Sequence, residues 1–141
     1  MCRDFGLGTT PWGWLAAGKY SGKHFEQDEK HLSESRRVQV TGEDRKIAQL
    51  LREIANDLYV SPTQVALAFI RCNPMTTSPI MGVRSVDQLE ELILGLDVTL
   101  EDDCLELLLR ASQRKFLYPY DRLGGTSYHF VDPIKAAGHI V

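Results

Sequence analysis

The sequence has few cysteines and lacks a long apolar run. Its 141 residues include three cysteines, Cys2, Cys72 and Cys104, and no two of them have the close spacing of a zinc-binding or redox pair. We therefore expect neither a disulfide framework nor a metal site. No apolar stretch approaches the about 20 residues of a membrane span, and the first residues lack the apolar stretch of a signal peptide. We expect a cytoplasmic protein without a membrane partner.

A strong charge of one sign is also lacking. The formal net charge is −3, from 16 basic and 19 acidic residues, so nothing indicates a nucleic-acid partner. Hydrophobic residues make up 43% of the chain, enough for one modest core. We expect a single domain over residues 1–141. Its tail, residues 112–141, is expected to be irregular because it contains two prolines and three glycines after position 118.

Four stretches carry helix signals, and their apolar spacing predicts helices at about 44–58, 62–72, 86–95 and 101–111. The second of these is apolar nearly all round, so we expect it to be buried. Three of the four begin with a capping pattern, in which a hydroxyl residue is followed three positions later by an acid or an amide. The pairs are Thr41 with Asp44, Ser61 with Gln64, and Ser85 with Gln88.

Two short stretches, residues 9–15 and 78–81, are predicted to be strands that are buried on both faces. Between them lies a long polar loop, residues 18–42. Strands that alternate with helices favour an α/β protein with parallel strands. Two strands are too few for a stable sheet, so the pattern indicates part of a larger structure.

Three segments together resemble the aldo-keto reductases: PWGWLAAGKYSGK (residues 11–23), SPTQVALAFI (residues 61–70) and TSPIMGVRSVDQLEELILGLDVTL (residues 77–100). Their order and spacing make the resemblance specific, and it covers nearly the whole chain. The opening MCRDFGLGTTPWGWL and the later PYDRLGGTSYHFVDP are similar to one branch in particular. That branch comprises the fungal aryl-alcohol dehydrogenases and related reductases of secondary metabolism.

The resemblance implies a (β/α)8 TIM barrel, of which this chain would be the C-terminal portion. It would supply strands seven and eight with their helices. The barrel would be incomplete, because a whole one needs about 250 residues.

The family's chemistry is carbonyl reduction by hydride transfer from NADPH, on a small-molecule carbonyl or, in reverse, an alcohol. A tyrosine acts as the general acid and is assisted by a lysine, an aspartate and a histidine, all on the early strands. None of these four residues can be mapped onto this sequence. We therefore assign no catalytic residue and expect the five tyrosines to be packing or surface residues.

A cofactor site is implied at the start of the third helix. Gly82 permits close backbone approach, the helix N-terminus attracts an anion, and Arg84 adds a charged donor pair for the 2′-phosphate of NADP(H). Gln88 and Glu91 correspond to family residues that contact the adenosine end. The family's asparagine one place later is Leu92 here, which removes an amide contact. Judged from the residues alone, without the family resemblance, an arginine after a glycine at a helix start is more often a solvated surface residue.

The other half of the implied site follows the first strand. Trp12, Gly13, Trp14 and Leu15 fall where the family's loop runs beside the pyrophosphate and ribose. A common Ser-Pro-Leu pattern there is not kept, so a hydroxyl that could bond phosphate is lost. Lys23 matches a basic residue that contacts the cofactor phosphates. Core packing is the alternative role for the two tryptophans, and both roles can hold together.

The residues and the family resemblance lead to two hypotheses for the function. The first is a truncated NADP(H)-dependent aldo-keto reductase for aromatic or polyketide-type aldehydes and ketones, inactive as the isolated chain. The second is a non-catalytic relict or helper, which associates with a partner chain that covers the open edge of the barrel.

Overall fold

The computed structural model describes residues 2, 4–21 and 40–113. Within these residues, two short 3-10 turns, Ala16–Gly18 and Gly95–Asp97, accompany four α-helices. The helices are Gly42–Asp57 (α1), Pro62–Arg71 (α2), Val86–Leu94 (α3) and Asp102–Ser112 (α4). All four predicted helices are confirmed, and each end lies within two residues of the prediction.

The predicted caps start the first two helices. At α1, Thr41 Oγ1 accepts a hydrogen bond from the Asp44 backbone N–H (3.1 Å), and Asp44 Oδ2 accepts one from the Thr41 backbone N–H (2.8 Å). Ser61 and Gln64 make the same reciprocal pair at α2. Two orphan N–H groups are thereby satisfied at each helix start.

The third cap forms only in part. Ser85 Oγ accepts a hydrogen bond from the Gln88 backbone N–H (3.3 Å), as predicted. The Gln88 side chain, however, bonds to the backbone N–H of Arg84 (2.9 Å), one residue before the cap. The full capping box predicted at α3 is therefore wrong, because the Gln88 amide satisfies the neighbouring N–H group instead.

The core is built around α2, which packs on α1 and α3, while α1 also packs on α4. Val65 and Leu67 are fully buried, and every residue from 63 to 68 is buried. The prediction that this helix is buried is confirmed. The main cluster joins α1, α2 and α4 through Leu51, Ile54, Ala55, Val65, Ala66 and Leu108.

The two predicted strands meet in parallel, as isolated bridges rather than continuous strands. Thr9 pairs with Thr76 and Trp12 pairs with Ile80. The first bridge consists of Thr9 N–H to Met75 O and Thr77 N–H to Thr9 O, both 2.8 Å. The parallel direction was predicted correctly.

Two prolines explain why the ladder breaks. To continue the register of the first bridge, the backbone N–H groups of residues 11 and 79 would have to donate next. Both residues are proline and have no N–H group. Pairing resumes one residue out of register, where Ile80 N–H donates to Pro11 O (2.9 Å).

The predicted burial of these strands is wrong for this structure. The Trp12 side chain is 82% exposed and Ile80 is 50% exposed. On α3, Leu92 is buried, but Leu89 and Ile93 are exposed, and so is Leu96 in the 3-10 turn that follows.

Some expectations lie outside the described residues. The predicted irregular tail from residue 112 is described only as far as residue 113, and the polar loop is described only near its two ends. Across the described ranges, no helix has both the length and the apolar character needed to cross a membrane.

Candidate functional site

The two segments predicted to hold a cofactor meet at the carboxyl ends of the parallel pair. Trp12 pairs with Ile80, and the indole Nε1–H of Trp14 donates to the Ile80 carbonyl (3.2 Å). Gly82 follows Ile80 by two positions, so the start of the α3 turn lies near residues 12–15. Ligands in parallel α/β structures bind outside the carboxyl ends of strands.

The two tryptophans have different surroundings. Trp14 and Leu15 are half-buried and pack against the core cluster, so core packing accounts for both. Trp12 projects into solvent. The backbone turns between them at Gly13, whose φ of +71° suits glycine. Trp12 therefore offers an open aromatic surface at the end of the segment, while Trp14 anchors the segment to the body of the protein.

A left-handed turn follows this segment. Ala16 and Ala17 have φ angles of 48° and 59°, which L-residues other than glycine rarely adopt, and Gly18 has a φ of 97°. The turn is closed by hydrogen bonds from Ala16 N–H to Gly13 O (2.8 Å) and from Gly18 N–H to Leu15 O (2.9 Å). Left-handed alanines persist only where surrounding contacts fix them.

The residues after the turn are held by Asp44. Lys19 Nζ lies 2.8 Å from Asp44 Oδ2, and the Tyr20 hydroxyl donates to Asp44 Oδ1 (3.1 Å). The side chains of Lys19 and Asp44 are each 15% exposed. Burial works to raise the pKa of the Asp44 carboxyl, but hydrogen bonds from Lys19, Thr41 and Tyr20 together hold that pKa well below its ordinary value.

This cluster was not predicted from the sequence. Asp44 was expected to cap a helix and Tyr20 to be a packing or surface residue; Asp44 does cap α1, and Tyr20 packs against the core. The link between residues 19–20 and residue 44 is long-range in the chain. The one sequence signal was that Lys19 and Tyr20 lie within the segment, residues 11–23, that carries the family resemblance.

Arg84 lies in the exposed turn before α3. Among the described residues, no carboxylate pairs with its guanidinium group. Gly82 borders open space, since a Cβ added there would meet no described atom within 4 Å. The turn therefore has an exposed cation, with no carboxylate partner in the described part of the chain, and room beside it next to a helix N-terminus.

Gln88 and Glu91 are partly engaged inside the protein. The Gln88 carbonyl oxygen accepts from Arg84 N–H, as described above. Glu91 Oε1 accepts from the Ser61 hydroxyl (2.5 Å), and the Glu91 backbone carbonyl accepts from Gln64 Nε2 (2.9 Å). These contacts fasten α3 to the start of α2, and they leave the Gln88 amide nitrogen and the second Glu91 oxygen for other partners.

Lys23 lies outside the described residues, as do all four histidines of the chain. Within the described ranges, no group of three or more His, Cys, Asp or Glu side chains could hold a metal ion.

Comparison with known proteins decides the family. The profile of the Aldo/keto reductase family matches residues 1–111. The chain belongs to the aldo/keto reductase family. This confirms the resemblance seen in the sequence. Members of this family are oxidoreductases with a (β/α)8 barrel, and they generally use NAD(P)H.

The curated relatives of this chain include fungal proteins of the predicted branch. It is 30% identical to an aryl-alcohol dehydrogenase (NADP+) of Phanerodontia chrysosporium, over 99% of this chain and 38% of the relative. It is 28% identical to norsolorinic acid reductase B of Aspergillus parasiticus, over 91% of this chain and 34% of the relative. A norsolorinic acid reductase of Emericella nidulans is 33% identical over 73% of this chain and 26% of the relative.

The chain spans about a third of the length of the curated relatives it matches. The described residues contain no continuous strand. That the chain supplies strands seven and eight of a barrel therefore stays a prediction.

Proposed function

We propose that this chain is the truncated, cofactor-binding C-terminal portion of an NADP(H)-dependent aldo-keto reductase. The whole enzyme would act on aromatic or polyketide-type aldehydes and ketones, in keeping with the names of its fungal relatives. One observation carries the proposal. The bridge from Trp12 and the hydrogen bond from Trp14 both end on Ile80, and this brings together the two segments expected to hold the cofactor.

The residues at this junction suit a phosphorylated dinucleotide. An anion beside Arg84 would meet an exposed guanidinium group and the positive end of the α3 dipole. Asp87 lies in the first turn of α3 and partly offsets that positive end. The preference for a 2′-phosphate therefore depends on Arg84. Trp12 offers a flat apolar surface for the ribose or an adjoining ring.

In the proposed reaction, bound NADP(H) supplies or accepts the hydride. Gly82, Arg84, Gln88 and Glu91 would hold its adenosine end, and Trp12, Gly13, Trp14 and Leu15 would border its pyrophosphate and ribose, with Lys23 on the phosphates. The proton donor that the family uses, with its lysine, aspartate and histidine, is assigned to strands outside this sequence. The isolated chain is therefore proposed to bind without turnover.

The second candidate is a non-catalytic helper that associates with a partner chain. The specific observation in its favour is the exposed apolar surface around the parallel pair and α3. Large side chains there are 39–82% exposed, namely Trp12, Ile80, Met81, Val83, Leu89 and Ile93. Such a surface favours association with a protein that would cover it. Sedimentation analysis over a concentration series separates a self-contained monomer from a chain that associates.

Cofactor binding can be measured with the chain's own fluorescence. Its two tryptophans both belong to the candidate site, so energy transfer from tryptophan to bound NADPH reports occupancy there. Titrations with NADPH and NADH should give about tenfold tighter binding of NADPH, the size expected for one charge-assisted contact. Arg84→Ala should abolish that preference.

Arg110→Ala is the matched control. It removes the same charge from α4, where Arg110 pairs with Glu106, and should leave the preference intact. Equal binding of the two cofactors, or an unchanged preference in Arg84→Ala, would overturn the proposal.

A further inference from the structure

The turn after the candidate site stores backbone strain. Ala16 and Ala17 are both left-handed, and each would be more stable in an ordinary conformation. The carbonyl oxygens of Gly13 and Leu15 accept the hydrogen bonds that close the turn, and both residues belong to the candidate site. The conformation of the site segment and the conformation of the turn are therefore linked through the backbone.

A contact with α1 holds the turn in place. Lys19 and Tyr20 follow it directly, and both bind the Asp44 carboxylate. Asp44 is itself fixed, because its side chain and backbone form the capping box with Thr41. The Tyr20 ring also packs against the core. Backbone bonds connect this anchor to the site, since Tyr20 N–H donates to Leu15 O (3.3 Å).

We propose that Asp44 is a positioning residue of the cofactor site, which holds residues 13–15 in their binding conformation through Lys19 and Tyr20. The inference rests on the proposed function, because it assumes that those residues border NADP(H). Asp44 does not need to touch the cofactor. Its removal takes away the carboxylate that binds Lys19 and Tyr20 and lets the strained turn relax, and the segment before the turn moves with it.

Two alanine substitutions within one capping box test this. Asp44→Ala removes the anchor together with its part of the cap. Thr41→Ala removes the Thr41 hydroxyl from the cap but leaves Asp44 bonded to Lys19 and Tyr20. Both should destabilise α1, whereas Asp44→Ala alone should weaken NADPH binding, by about tenfold in calorimetric titration. If circular dichroism shows that Asp44→Ala is unfolded, Asp44→Asn, which keeps the side-chain volume, is used in its place.

A second readout does not depend on the cofactor. Quenching of tryptophan fluorescence by acrylamide should increase in Asp44→Ala, because Trp14 loses its fixed position, and should stay unchanged in Thr41→Ala. Combining Lys19→Met with Asp44→Ala then shows whether Lys19 acts through Asp44 or contacts the cofactor directly. If Lys19 acts through Asp44, the double variant binds NADPH no more weakly than Asp44→Ala; fully additive losses would contradict that.

The outcomes distinguish the two proposals. Equal NADPH affinity in the unaltered and Asp44→Ala chains overturns this inference alone. A similar loss of affinity in Thr41→Ala and Asp44→Ala also overturns it, since general destabilisation of α1 then explains both. Failure of the unaltered chain to bind NADPH overturns the proposed function, and this inference with it.

Discussion

At the scale of single residues, Asp44 has a pKa that depends on folding. That pKa is lowered in the folded chain, so the carboxylate favours folding at pH values above its ordinary pKa of about 3.8. That contribution is lost as the pH falls through the lowered pKa. Asp44→Asn should therefore be less stable than the unaltered chain near pH 7, and the difference should shrink on acidification below about pH 4. Urea unfolding at several pH values measures it; a difference independent of pH would show that the charge is not stabilised.

Gly8 is a second residue whose environment can be tested. A Cβ added there would lie 1.8 Å from Thr77 Oγ1, so the parallel pair must shift or Thr77 must rotate. Gly8→Ala should cost about 1–2 kcal/mol of unfolding free energy. Adding Thr77→Ala should recover part of that loss. Gly42→Ala is the control, since no described atom lies within 4 Å of a Cβ there, and an effect as large in that variant would contradict the steric explanation.

At the scale of elements, the end of α1 has a left-handed residue that is not glycine. Val60 N–H donates to Ala55 O (2.9 Å) and Tyr59 N–H donates to Asn56 O (3.3 Å), the two bonds of a Schellman motif. Tyr59 occupies the left-handed position with φ of 56° and is 96% exposed. Tyr59→Gly should stabilise the protein by about 1 kcal/mol, because strain is relieved and no packing is lost. Thermal unfolding measures this, and a lower midpoint would show that the Tyr59 ring has a partner.

The sequence predicted the helices well because their signals are local. Ser61 with Gln64 and the apolar spacing of α2 lie within a few residues of one another. The break in the parallel pair was harder, since it depends on where Pro11 and Pro79 fall in a shared register. The Lys19–Asp44 pair could not be predicted, because chain segments far apart in sequence must fold before these charges meet.

At the scale of the whole molecule, burial was the property that sequence predicted least well. Trp12 and Ile80 are residue types typical of buried strands, yet they are exposed, because burial depends on neighbours that a local sequence pattern does not specify. Arg84 and the α3 turn are positioned by nearby residues, whereas a complete substrate pocket depends on surfaces contributed from elsewhere in a barrel.

The purified chain should not oxidise NADPH at an enzymatic rate with aromatic aldehydes, because acid catalysis needs a proton donor within hydrogen-bond reach of the carbonyl. Hydride transfer also needs the nicotinamide held against the substrate, and the candidate residues are proposed mostly to hold the other end of the cofactor. Absorbance at the NADPH band, followed with benzaldehyde-type substrates, measures turnover, and a full-length fungal relative serves as the positive control. Sustained turnover that disappears when Arg84 and Lys23 are both replaced by alanine would show that this chain forms a working active site by itself. Turnover that survives those replacements would point to a contaminating reductase, since the reaction would then not depend on the proposed cofactor residues.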